Sequence, residues 1–161
     1  MPVLGFGVYE IDRPNCTEAC LRAISAGYRL IDTAQIYHNE EEVGVALQQC
    51  ALPREEIFAT TKIRYPRVGK GKTYLRGLQS VQKIDPREDG YVDLLLIHSP
   101  HGLKPKDRKE LWLALEKLHE DGKAKAIGVS NYQVEHLEEM KGYAKIWPPA
   151  VNQILVSSIS Q

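Results

Sequence analysis

Short apolar runs alternate with longer amphipathic stretches along the whole chain. The apolar runs at 28–32, 57–61, 91–97, 126–129 and 150–154 predict strands, and an earlier one at 3–8 is punctuated by Gly5 and Gly7. The run at 91–97 is apolar without alternation, which predicts burial on both faces, as in parallel sheets. Between these runs lie helical patterns. Asn15 is expected to open the first helix, with Glu18 three residues on able to cap reciprocally and Gly27 ending it. Val43, Ala46 and Leu47 share a face of a helix over 41–50, which precedes Pro53. Leu75, Leu78 and Val81 do the same over 73–83, before Asp85-Pro86. Leu111, Leu115 and Leu118 define a helix over 108–120 closed by Asp121-Gly122, and a further helix covers 134–140.

This makes about six β/α steps and implies a parallel sheet with right-handed crossovers. Two architectures satisfy the pattern: an open doubly wound sheet and part of a closed (β/α)8 barrel. Neither length nor periodicity separates them. The 161 residues predict a single domain. Equal numbers of basic and acidic residues, 21 each, leave no excess charge to hold a phosphate backbone or an anionic membrane. The expectation is therefore no nucleic-acid partner and no membrane partner. Three cysteines, Cys16, Cys20 and Cys50, without CxxC spacing read as small buried groups in a reducing compartment. Together with an N-terminus lacking a signal-peptide pattern, they predict a cytoplasmic protein. No histidine spacing suggests a zinc site, so no metal is expected.

Chemistry concentrates at the ends of the strands. The strands run into Asp32, Lys62, His98, Ser130-Asn131 and Asn152-Gln153. Parallel strands expose their C-terminal ends on one side, where ligands sit in both barrels and open sheets. Each residue alone has a plain reading as turn, cap or solvated side chain, but the succession is hard to read as caps. An Asp and a Lys on neighbouring strand ends form a pair whose desolvation offsets most of its attraction. Such a pair is better motivated by a third ionisable group. Tyr37, in the loop after Asp32, is the candidate. An ammonium about 4 Å from a phenolate would stabilise it by about 4 kcal/mol at an effective dielectric near 20. A phenol so activated can give its proton to a carbonyl oxygen.

These residues lie in motifs that resemble the aldo-keto reductases: GYRLIDTAQIYHNEEEVG (27–44), TTKI (60–63), YVDLLLIHSP (91–100), GKAKAIGVSNY (122–132) and PAVNQI (149–154). KIDPREDGYVDLLLIHSP (83–100) is most similar to fungal members. The resemblance implies an α/β fold, a (β/α)8 TIM barrel, of which the chain would hold about the first six units. It implies NADPH-dependent reduction of a small aldehyde or ketone. It places a catalytic tetrad on Asp32, Tyr37, Lys62 and His98, with Tyr37 as general acid, Lys62 lowering its pKa, Asp32 holding Lys62 and His98 orienting the carbonyl. Ser130, Asn131 and Gln153 match positions that bind the nicotinamide carboxamide, and Asp32 lies near the nicotinamide ribose. Absence of a GxGxxG after a strand disfavours a Rossmann reductase.

Departures from the family pattern set further expectations. A full barrel takes roughly 250 residues, whereas this sequence reaches only a sixth strand. The expected division is a partial barrel domain over 1–154 and a tail over 155–161 that departs from the family's continuation. Strands seven and eight, and the family's residues for the adenosine half of the cofactor, have no counterpart. Six strands cannot close as eight do, so two strand edges and an apolar inner face are expected to be open to self-association. The alternative reading is a catalytically silent truncated product, at most a binding or oligomerising partner.

Overall fold

The computed structural model describes residues 1–69 and 71–156. Its elements follow in strict alternation: β1 (Phe6–Gly7), α1 (Arg13–Ser25), β2 (Leu30–Asp32), α2 (Glu40–Gln49), β3 (Phe58–Ile63), α3 (Lys72–Ile84), β4 (Val92–Ile97), α4 (Pro105–Glu120), β5 (Ala124–Ser130), α5 (Val134–Met140) and β6 (Asn152–Gln153). All six strands are parallel, in the spatial order β1-β2-β3-β4-β5-β6. That order decides between the two architectures. A doubly wound sheet reverses direction at a switch point, whereas here every crossover advances to the next strand. The helices accordingly lie in one layer, α1 against α2, α2 against α3 and α3 against α4.

The sheet also curls. β2 and β6 are four strand spacings apart, about 19 Å on a flat sheet. Yet Gln153 Nε2 donates to Asp32 Oδ2 at 3.2 Å. The result is a half-barrel of parallel strands covered by helices on its convex side. Strand alternation then sorts the side chains. Ile31, Ala59, Ile63, Leu95, Ile97, Ile127 and Val129 face the helices and join the main core with Leu111, Leu115 and Leu118 of α4. Asp32, Thr60, Lys62, Leu94 and Gln153 line the concave side. Helix α2 sits close to α3 because Gly44 lacks a side chain: a Cβ there would lie 2.1 Å from the Lys83 carbonyl oxygen.

Several boundaries differ from the sequence expectation, each for a local reason. Helix α1 begins at Arg13, because Pro14 fits the first turn, where its missing N–H costs nothing. Asn15 donates to Asp12 Oδ1 at 2.8 Å instead of capping, and Glu18 pairs with Arg22 at 2.7 Å. Strand β3 extends past Lys62 because Ile63 still pairs with Ile97 of β4 and its carbonyl accepts the His98 N–H at 2.9 Å. β5 takes in Ser130, and β6 is shorter than expected. The cysteines are free, Cys16 and Cys20 buried and Cys50 partly so. Of the expected tail, 155 and 156 are described, and 157–161 lie outside the described residues. No helix among the described residues is long and apolar enough to cross a membrane.

Candidate active site

The C-terminal ends of β2 to β6 converge on a cavity of about 590 Å³, within the usual size of a small-molecule site. Asp32, Tyr37, Lys62 and His98 line it, as do Ser130, Asn131 and Gln153. The structure therefore brings together the strand-end residues singled out from the sequence except Asn152, whose amide bonds the Tyr132 backbone instead.

Lys62 is the most enclosed of them. Only 4% of its side chain is exposed, and its ammonium pairs with Asp32 Oδ1 and donates to the Thr33 carbonyl at 3.1 Å. Burial pushes its pKa down, and the Asp32 charge opposes that shift. Asp32 keeps its second oxygen for Gln153. A short turn, Gln35–Tyr37, follows β2 and is closed by the Tyr37 N–H on the Ala34 carbonyl at 2.9 Å. It holds the Tyr37 ring over the cavity, 5.0 Å from the ring of Tyr9 and edge-on to His98 at 5.5 Å, centroid to centroid. Lys62 Nζ lies 5.3 Å from the Tyr37 centroid.

The electrostatics of Tyr37 depart from the sequence argument. Burial, followed by the charge of Asp32 and the phenol of Tyr9, pushes the Tyr37 phenol up to about 12. The ammonium faces the carboxylate rather than the phenol, and an ion pair acts on a neighbour as a dipole. Tyr37 is thus a protonated phenol throughout the neutral range. His98 moves the other way. Burial, then the charges of Lys62 and Arg64, lower it to about 4, so the imidazole is neutral near pH 7. Its Nδ1 is buried without a partner among the described residues.

The polar groups at β5 and β6 are partly engaged with each other. Ser130 Oγ donates to the Gln153 carbonyl at 2.8 Å and accepts from Asn131 Nδ2 at 3.0 Å. Asn131, in the left-handed region at φ 58°, accepts the Leu155 N–H on Oδ1 at 2.9 Å. Gln153 Oε1 is buried and has no partner among the described residues. An unpaired acceptor here, beside the Asn131 amide with one N–H left to give, fits a planar carboxamide that both donates and accepts.

Sequence reasoning missed the apolar part of the lining, Tyr9, Ile36 and residues 154–156. Tyr9 follows β1, so the rule that found the polar groups, to read what comes after each strand, would have found it too. Leu155 and Val156 carried no such signal. Among the described residues no cluster of three His, Cys, Asp or Glu could hold a metal ion.

Comparison with known proteins agrees with this geometry. The model of the aldo/keto reductase family matches residues 4–160. A glyoxal reductase of Bacillus subtilis is 45% identical over 155 residues, covering 96% of this chain and 54% of the relative. A 9,11-endoperoxide prostaglandin H2 reductase of Trypanosoma cruzi is 43% identical, with 100% and 55% covered. The crystal structure of an aldo/keto reductase from Brucella melitensis superposes with a TM-score of 0.87 at 39% identity, covering 97% of this chain and 59% of that one. The chain spans about half the length of the curated relatives it matches. By sequence, by fold and by the order of its strands, the chain belongs to the aldo/keto reductase family.

Proposed function

We propose that the cavity carries out NADPH-dependent reduction of a small aldehyde or ketone to the alcohol, with Asp32, Tyr37, Lys62 and His98 as its catalytic residues. The observation that carries this reading is their convergence around one cavity with the Lys62–Asp32 pair buried beside Tyr37. Gln153 Oε1, Asn131 and Ser130 would hold the nicotinamide carboxamide, and Asp32 would lie by the ribose. The bound cofactor supplies the hydride.

The chain's own groups supply the rest. A neutral His98 donates an N–H to the carbonyl oxygen and orients it without adding charge. Tyr37, protonated up to about pH 12, gives its Oη proton to that oxygen only as negative charge builds there. Lys62 remains an ammonium because Asp32 holds it, and its charge, 5.3 Å from the Tyr37 ring centroid, helps to stabilise the phenolate left behind. Tyr9 and Ile36 give the substrate an apolar wall. A phenol that keeps its proton suits reduction, since the reverse reaction needs the phenolate as base.

A second reading is favoured by two observations. The chain matches only about half of its relatives, and β1 and β6 each pair with one strand among the described residues. On that reading the chain is catalytically silent and acts at most as a binding or oligomerising partner. Purified chain is mixed with NADPH and a reactive aromatic aldehyde, and loss of reduced cofactor is followed. Turnover abolished by Tyr37→Phe supports the reductase. Unchanged NADPH fluorescence on titration with the protein sinks it and leaves the second reading.

A further inference from the structure

We propose that Glu40 is a positioning residue that fixes the turn bearing Tyr37 against the strand bearing Lys62; this rests on the reductase reading of the cavity. Glu40 is the first residue of α2 and is 2% exposed, on the helix side of the sheet, away from the cavity. Its two carboxylate oxygens accept from hydroxyls on two different elements. Thr61 of β3 donates to Oε1 at 2.7 Å, and Ser80 of α3 donates to Oε2 at 3.2 Å.

Both hydroxyls lead back to the cavity. Thr61 precedes Lys62, and the pleat that turns Lys62 inward turns Thr61 outward onto Glu40. Ser80 Oγ in turn accepts from Gln35 Nε2 at 3.0 Å, and Gln35 opens the turn that ends at Tyr37. Gln35 Oε1 is held by Arg76 Nε at 2.6 Å. One hydrogen-bonded chain thus runs Thr61, Glu40, Ser80, Gln35, Arg76, joining the backbone of Lys62 to the backbone of Tyr37 behind the sheet. The far end of the same loop has its own tether. Asn39 accepts from Thr33 at 2.8 Å and donates to the Val8 and Ile11 carbonyls at 2.9 and 3.1 Å.

A buried carboxylate is a poor choice for stability alone. Burial pushes its pKa up against the help of both hydroxyls, and the ammonium of Lys83 pairs with Glu41 instead, at 3.4 Å. An apolar residue facing Thr61 would avoid that cost. What a carboxylate adds is a rigid fork that accepts from two elements at once.

The test uses the full chain without cofactor or substrate, so its outcome is independent of turnover and of NADPH binding. NMR reads the cross-peak between the Tyr37 and His98 rings and the hydrogen exchange of the Tyr37 and His38 amides. In Glu40→Ala the cross-peak is expected to vanish and exchange of both amides to accelerate about tenfold or more, while strand β4 amides keep their rates. Glu40→Gln, which still offers an acceptor and a donor to the two hydroxyls, is expected to restore most of the signal. Should Glu40→Ala fail to fold, Gln35→Ala cuts the same chain at a half-buried site and is expected to give the same loss. An intact cross-peak and unchanged exchange in a folded Glu40→Ala, or in Gln35→Ala where that variant stands in, overturn the proposal.

Discussion

Replacing the Lys62–Asp32 pair one partner at a time and then together tests the feature on which the site depends. In Asp32→Leu the ammonium keeps only the Thr33 carbonyl, with 4% of its side chain exposed. Leaving such a charge uncompensated costs about 3–5 kcal/mol. Loss of the proton caps the cost near 4.6 kcal/mol at pH 7, the difference from an ordinary lysine at 1.36 kcal/mol per unit. In Lys62→Met the carboxylate is 15% exposed and retains Gln153 Nε2 as a donor, so about 2 kcal/mol is expected. The double variant removes both desolvation costs and should fall within about 1 kcal/mol of the parent. Urea unfolding at pH 7 measures all four proteins. The double variant should be at least about 3 kcal/mol more stable than the sum of the single losses predicts. If Asp32→Leu does not fold, recovery of the fold in the double variant makes the same point. Additivity within about 0.5 kcal/mol, or a double variant as damaged as Asp32→Leu, refutes the reasoning.

Two further outcomes follow from the same structure. The folded His98 binds its proton near pH 4, whereas an unfolded histidine binds one near 6.5, so stability is complete above 6.5 and is lost as pH falls through 4. The full shift corresponds to about 3.4 kcal/mol, reduced to about 1–2 kcal/mol by solvent screening of a half-buried ring; denaturation at pH 7 and at pH 4.5 should show His98→Gln losing that much less than the parent, and equal losses would contradict the assignment. Beside the edges of β1 and β6 that have no partner strand among the described residues, Val3 is 100% and Leu155 81% exposed, so sedimentation should show concentration-dependent association that Val3→Lys with Leu155→Lys suppresses; a monomer at every concentration rules the edges out as contacts.

What could be read from the sequence was place, and what could not was charge. The alternation of periods gave the β/α order, and the ends of the apolar runs gave Asp32, Lys62, His98, Ser130 and Gln153, all of which line one cavity. The choice between an open sheet and a barrel needed the strand order, which no local pattern encodes. The first helix start was misplaced because the Asn15 side chain turns to Asp12 instead of capping, and Pro14 fits the first turn. The network through Glu40 gave no signal either, because Glu40 is the first of three consecutive glutamates, and a run of that kind reads as a solvated helix start.

Tyr37 marks the limit most sharply. From composition alone, a lysine near a tyrosine lowers the phenol's pKa. The outcome depends on where the ammonium points, and that is settled by competition for its donors. A carboxylate and a carbonyl take two of the three, the phenol sees the pair as a dipole, and burial then dominates and raises the pKa to about 12. A phenol at that value keeps its proton at neutral pH and is a weak proton donor. Within the proposed chemistry this ties the rate of proton transfer to the geometry of the Lys62–Asp32 pair: any change that turns the ammonium from Asp32 toward Tyr37 would lower the phenol's pKa toward the working pH while leaving it protonated there, and so speed transfer of its proton to the carbonyl oxygen.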